Sequence, residues 1–181
     1  MKPGAVDPVA GGLRWVAEVL GAARIPFAVA GEAAAAAHGA VRAPAAAGSP
    51  PSPAAGAPPA AAGIEVFVAA ADLPRFLRLV AAQVVEPPWR RRDECWDRVA
   101  VVLEHERMRI TVSVREAARV RDAATGAWVD AAVDLDAAVE RTVRGVTLPV
   151  LAWQRLVELE RRLGRTLARR SAGRSADEEV R

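Results

Sequence analysis

The sequence predicts an α/β (α+β) fold: a mixed β-sheet flanked by helices, with a further helix toward the C-terminus. Three observations carry this expectation. The run from Ile25 to Arg42 reads as a strand that breaks at Gly31 into an Ala-rich helix, and Gly63–Val68 reads as a second strand. Met108, Ile110, Val112 and Val114 alternate with Arg109, Thr111 and Ser113, the period of a half-buried strand. Leu13, Val16 and Leu20 recur at helical spacing, as do Trp153, Leu156, Leu159, Leu163 and Leu167.

Taken in order, residues 9–23 form an amphipathic first helix, and Pro26 precedes the strand Phe27–Ala30. The helix Glu32–His38 contains five consecutive Ala and suits close packing. Ala71-Asp72 opens a helix with Leu73, Phe76, Leu77 and Val80 on one face, ending near Val84. Pro87-Pro88 closes that region, and Trp89–Trp96 is expected as a charged loop or strand entry. Arg98–Leu103 and Met108–Val114 make a hairpin around Glu106-Arg107. Residues 116–124 are expected to be helical, 125–137 irregular, and 138–144 with 146–150 short strands. The last helix is expected over Leu151–Leu163, its apolar stripe serving as core or as a dimer contact.

The segment 43–62 breaks the pattern with ten Ala, six Pro, two Gly and two Ser, no charge and no large apolar side chain. Such a stretch cannot offset its ordering entropy by burial, so a disordered or polyproline-like insert is expected. The organisation is therefore one domain over 1–170, interrupted by that insert, with a flexible polar tail at 171–181.

Composition excludes several classes. No uninterrupted apolar run reaches the ~18–20 residues of a membrane span, and the first residues lack the apolar region of a signal peptide. A single cysteine, Cys95, rules out an internal disulfide and fits a reducing, cytoplasmic setting. The basic residues are 24 Arg and one Lys, and the formal net charge is +3. Residues 161–181 hold seven Arg against three acidic residues, which leaves the rest of the chain at −1. A near-neutral body with a basic end lacks the basic stripe and docking element of a nucleic-acid binder. Arg90-Arg91-Arg92 reads as a loop neutralised by Asp93 and Glu94. Neither His38 nor His105 has partners at metal-site spacing.

The arrangement Gly31, then His38-Gly39 and Arg42, then a strand at 64–68 resembles the nucleotidyltransferase-like superfamily. The resemblance is to its small bacterial branch of antibiotic-modifying and toxin–antitoxin-type proteins, and it spans residues 10–165. It implies a nucleotide-binding set at Gly31, Glu32, His38, Arg42, Gly63, Thr111 and Ser113. It also implies metal-binding, catalytic carboxylates on the strands. In that family a small residue follows the strand-closing Gly, an Asp-x-Asp pair opens the next strand, and a third carboxylate comes from a neighbouring strand. Here Glu32 stands at the small residue, Gly63 and Glu65 at the pair, and Thr111 or Ser113 at the third position.

Two Mg2+ ions, each bound by hard oxygen ligands, drive the family's reaction. One carboxylate is too few to hold them, and Glu32 in the first helical turn favours the fold while repelling a triphosphate. The last helix departs from the family as well, with Glu158 near an expected Lys. The implied function is that of a degenerate nucleotidyltransferase-fold protein: a binding or interaction module with no cofactor, whose partner is a second protein or a second copy of this chain. Nucleotide binding is in doubt. The alternative is an active Mg2+-dependent transferase whose altered metal site uses Glu65, completed by Glu104 or another carboxylate. A small structural protein without a ligand is the third class.

Overall fold

A computed structural model describes residues 7–42, 63–131 and 133–169. The expected insert at 43–62 and tail at 171–181 lie outside the described residues.

Asp7 caps helix α1 (Pro8–Ala22), accepting from the N–H groups of Val9 and Ala10 at 3.0 and 3.3 Å. Pro8 occupies the first helical turn, where a missing N–H costs nothing. The buried face is Leu13, Val16 and Leu20, as the spacing requires. A Cβ on Gly12 would sit 2.8 Å from Ile64 and Met108, so α1 lies directly on the sheet there.

The chain then runs through β1 (Phe27–Ala30), α2 (Gly31–Ala37), β2 (Ala40–Arg42), β3 (Ile64–Val68) and α3 (Leu73–Leu79). Next come β4 (Val84–Arg92), β5 (Trp96–His105), β6 (Met108–Val114), β7 (Arg119–Arg121) and β8 (Trp128–Asp130). It ends with β9 (Val139–Val143), β10 (Val146–Val150), α4 (Trp153–Arg162) and β11 (Leu167–Arg169). Nine strands form one sheet in the order β8-β7-β5-β6-β3-β1-β10-β9, with β4 pairing β5 off this path. The sheet is mixed: β1 runs parallel to β10 and β3 to β6, while the other pairs are antiparallel. β2 and β11 form a separate two-stranded sheet.

The register fixes which side chains share a face. Ala30 lies opposite Glu65, Glu65 opposite Thr111, and Thr111 opposite Val102. Ser113 lies opposite both Phe67 and Ala100. The expected hairpin is present, its turn made by Glu106 and Arg107 with φ of 48° and 67°.

Several expectations are corrected. Of Trp89–Trp96, expected as a loop or strand entry, only 93–95 lie outside strands, because β4 continues to Arg92 and β5 begins at Trp96; the prolines of β4 sit where its pairing with β5 shifts register between Glu86 and Trp89. Proline, which lacks an N–H, is tolerated in sheets at such irregularities and at edges. Residues 116–124 are not helical: one 3-10 turn at Arg115–Ala117 leads into β7, where buried Val120 between exposed arginines follows a period of two. The region 125–137 contains a strand, β8. The helix opened by Asp72 stops at Leu79, and a 3-10 turn leads into β4 at Val84. Leu167 leaves the last helix's stripe, since α4 ends at Arg162 and Leu167 pairs with Arg42 in the small sheet.

Candidate functional site

The site begins where β1 turns into α2. Gly31 adopts φ +62°, a left-handed conformation that other residues enter at a cost, and a Cβ there would approach Glu65 Oε2 to 3.3 Å. The backbone turn thus sits against the one carboxylate at the expected metal positions. Glu65 on β3 and Thr111 on β6 are register partners, so they share a face, and both are half-buried. Gly63 is exposed just before β3 and lines a shallow cleft with Glu32, Val9 and Arg144.

Ser113 corrects the expectation of an exposed polar position. It is fully buried, and its Oγ has no hydrogen-bond partner among the described residues. Glu104, the carboxylate suggested to complete an altered site, is exposed on β5, with β6 between it and Glu65, and faces Arg109.

What occupies Glu65 is Arg98. Its guanidinium forms a hydrogen-bonded ion pair with the Glu65 carboxylate, the two side chains being 15% and 22% exposed. The same guanidinium lies 4.3 Å from the ring centroid of Trp96, and that ring is 6.2 Å from Phe67. A second cluster lies on the same face, where Glu86 takes ion pairs from Arg91 and Arg109. Burial, with the neighbouring charges of Arg109 and Arg98, holds the Arg91 guanidinium below its ordinary value. The face that carries carboxylates in the resembled family is covered here by arginine–glutamate pairs.

The other matched positions serve different contacts. His38 Nε2 is 2.8 Å from the carbonyl oxygen of Leu151, joining the end of α2 to the chain entering α4, and its ring stands 5.6 Å from Trp153. Arg42 reaches Glu160 at 3.2 Å and Glu32 at 3.2 Å. Glu160 is buried on α4 and has Arg165 at 3.9 Å as a second partner. Glu32, Arg42 and Gly31 are therefore neighbours of one helix end, while His38 lies at the other end of α2. Within Arg90–Arg92, Arg90 and Arg91 pair with Asp97 and Glu86, not with Asp93 and Glu94. Arg90 makes two 2.7 Å bonds to buried Asp97, which hold that carboxyl below the usual range, and Arg92 lies over Trp128. Asp93 instead accepts from the N–H groups of Cys95 and Trp96.

Sequence reasoning missed Arg98, Glu86 and Glu160. Arg98 had a signal: a two-residue turn at 106–107 fixes the hairpin register and places 98, 100, 102 and 104 on the face of Thr111.

Paired Mg2+ ions need several fixed carboxylates. The positions at hand offer one carboxylate under a guanidinium, one half-buried hydroxyl and one buried hydroxyl. Among the described residues, no three His, Cys, Asp or Glu side chains lie close enough to hold an ion. The donor set does not fit such a metal pair.

The chain shares its fold with the crystal structure of a "putative nucleotidyltransferase" from Thermotoga maritima. The TM-score is 0.60 at 18% identity, covering 86% of this chain and 84% of that one. No protein-family model matches the chain, and no curated protein matches it. The fold is thus nucleotidyltransferase-like. No helix among the described residues is long and apolar enough to cross a membrane.

Proposed function

We propose that this protein has the nucleotidyltransferase scaffold without the nucleotidyl-transfer reaction, and that it acts as a binding or interaction module in the manner of the toxin–antitoxin-type branch it resembles. One observation carries the reading: Glu65, the carboxylate left at the metal positions, is neutralised by Arg98. A carboxylate held this way has little negative charge to offer a cation, and neither Thr111 nor buried Ser113 supplies any. Glu32, paired with Arg42 at 3.2 Å, occupies the turn where a triphosphate would dock. A cytoplasmic setting belongs to the same reading. Cys95 is a free, half-buried thiol whose burial pushes its pKa up, which lowers its thiolate fraction and so its reactivity.

The test is isothermal calorimetry of the unmodified protein with ATP and Mg2+, together with a turnover assay. The expected result is no metal-dependent binding heat and no turnover. Metal-dependent turnover that disappears in Glu65→Gln would overturn the proposal and establish the active-enzyme alternative.

A further inference from the structure

Arg98 lies two strands away from Glu65, with β6 between them. An arginine reaching across a strand needs small residues in its path, and the register supplies Ala100 and Ser113 side by side on that face. Ser113 is 0% exposed with an unpartnered Oγ among the described residues, so this part of the face is covered. Trp96 holds the guanidinium from the other direction. The arrangement is built on three strands, β3, β5 and β6, and does not depend on one flexible surface side chain.

We propose that Arg98 is a fixed internal cation standing in for a divalent metal, and that it excludes metal from this face even where carboxylates are returned to the strands. The inference rests on reading the face as the metal face of a nucleotidyltransferase scaffold. It adds a specific determinant: returning carboxylates to the strands does not restore cation binding while Arg98 remains, because the guanidinium pairs with them first. A guanidinium is compact enough to sit between two carboxylates, carries its charge at every accessible pH, and donates in a planar fork. Removing it takes away both a competitor for Glu65 and a like charge that repels the incoming ion.

The experiment compares two variants of the full chain, Gly63→Asp with Thr111→Asp, and the same pair with Arg98→Met added. Methionine keeps the apolar stem beside Trp96. Free Mn2+ is followed by electron paramagnetic resonance, and melting is recorded with and without the ion. Mn2+ should bind the triple variant at least about tenfold more tightly than the double variant, the scale expected when a charge a few ångströms away is removed. Adding Glu65→Gln to the triple variant should abolish the gain. If the double variant binds Mn2+ as well as the triple variant does, Arg98 is no barrier and the inference is wrong. Absence of binding by a folded triple variant refutes it equally. Should Arg98→Met not fold, Arg98→Gln replaces it, and strong Mn2+ binding by the double variant alone still decides against the proposal. These outcomes are independent of the turnover assay on the unmodified chain, so the loss of one reading is separable from the loss of the other.

Discussion

Two regions carry the positions that match the nucleotidyltransferase-like pattern, and they have fared differently. Around α2, Gly31 at its start and His38, Gly39 and Arg42 after its end are all in place. On the sheet face, positions 63, 111 and 113, where the resembled pattern is acidic, hold Gly, Thr and Ser. The first group has folding work to do. Gly31 and Gly39 adopt φ of +62° and +68°, His38 contacts the Leu151 carbonyl, and Arg42 is the principal partner of buried Glu160. The second group lies on strands that hydrogen-bond through their backbones whatever side chain they carry. Under the proposed function, the first group shapes the scaffold, and the side chains of the second are free of that demand.

The largest expected effect is at the scaffold end. Arg42→Met leaves the Glu160 carboxylate buried with only Arg165, at 3.9 Å, to offset it. Breaking a buried pair by removing one partner costs about 3 kcal/mol. Urea denaturation should show a loss of that order. Adding Glu160→Leu should recover most of it, because the uncompensated charge is then gone. A loss near zero for Arg42→Met would break the comparison, since Arg42 would then have no folding role to explain its presence.

Gly31→Ala comes next. The left-handed conformation costs an L-residue about 1–2 kcal/mol, and the new Cβ would meet Glu65 Oε2 at 3.3 Å. Gly39→Ala isolates the backbone part, because nothing lies within 4 Å of its Cβ position. The expected order is therefore Gly31→Ala at least as destabilising as Gly39→Ala, both read as shifts in the urea midpoint. The reverse order would show that Glu65 yields freely, and that the contact between the turn and the sheet face is slack.

Much of this was readable from the chain. Strand alternation over 108–114 and the Gly31 break gave the central sheet strands and the first crossover, because period and turn chemistry are local signals. What stayed hidden depended on distant partners. β4 contains two prolines and three arginines, and it is a strand because β5 offers an edge that tolerates a register shift. Leu167 has helical spacing from Leu163, yet pairing with β2 claims it. Glu160 appears in the sequence as one more charge on an exposed-looking helix, and the partner that reaches it, Arg42, lies 118 residues away in the chain. Ser113 reads as a polar-face residue in the alternation, while Phe67 and the Arg98 crossing bury that part of the face.

The smallest effect is expected on the sheet face itself. Glu65→Leu with Arg98→Met replaces a half-buried ion pair by apolar side chains of similar length against Phe67 and Trp96. Such replacements are close to neutral, because the lost attraction is offset by the lost desolvation of both charges. The double variant should lie within about 1 kcal/mol of the parent. Arg98→Met alone should cost more, about 1–2 kcal/mol, since it leaves a carboxylate that is 22% exposed without its partner. The pair therefore should show strong coupling in a double-mutant cycle and little net contribution. That outcome sets it apart from the Arg42–Glu160 end, where geometry as well as charge depends on the pair: Arg42 anchors β2, and with it β11, to α4. If the sheet-face double variant proved as destabilised as Arg42→Met, the Glu65–Arg98 pair would itself be part of the scaffold, and the division between the two regions would fail.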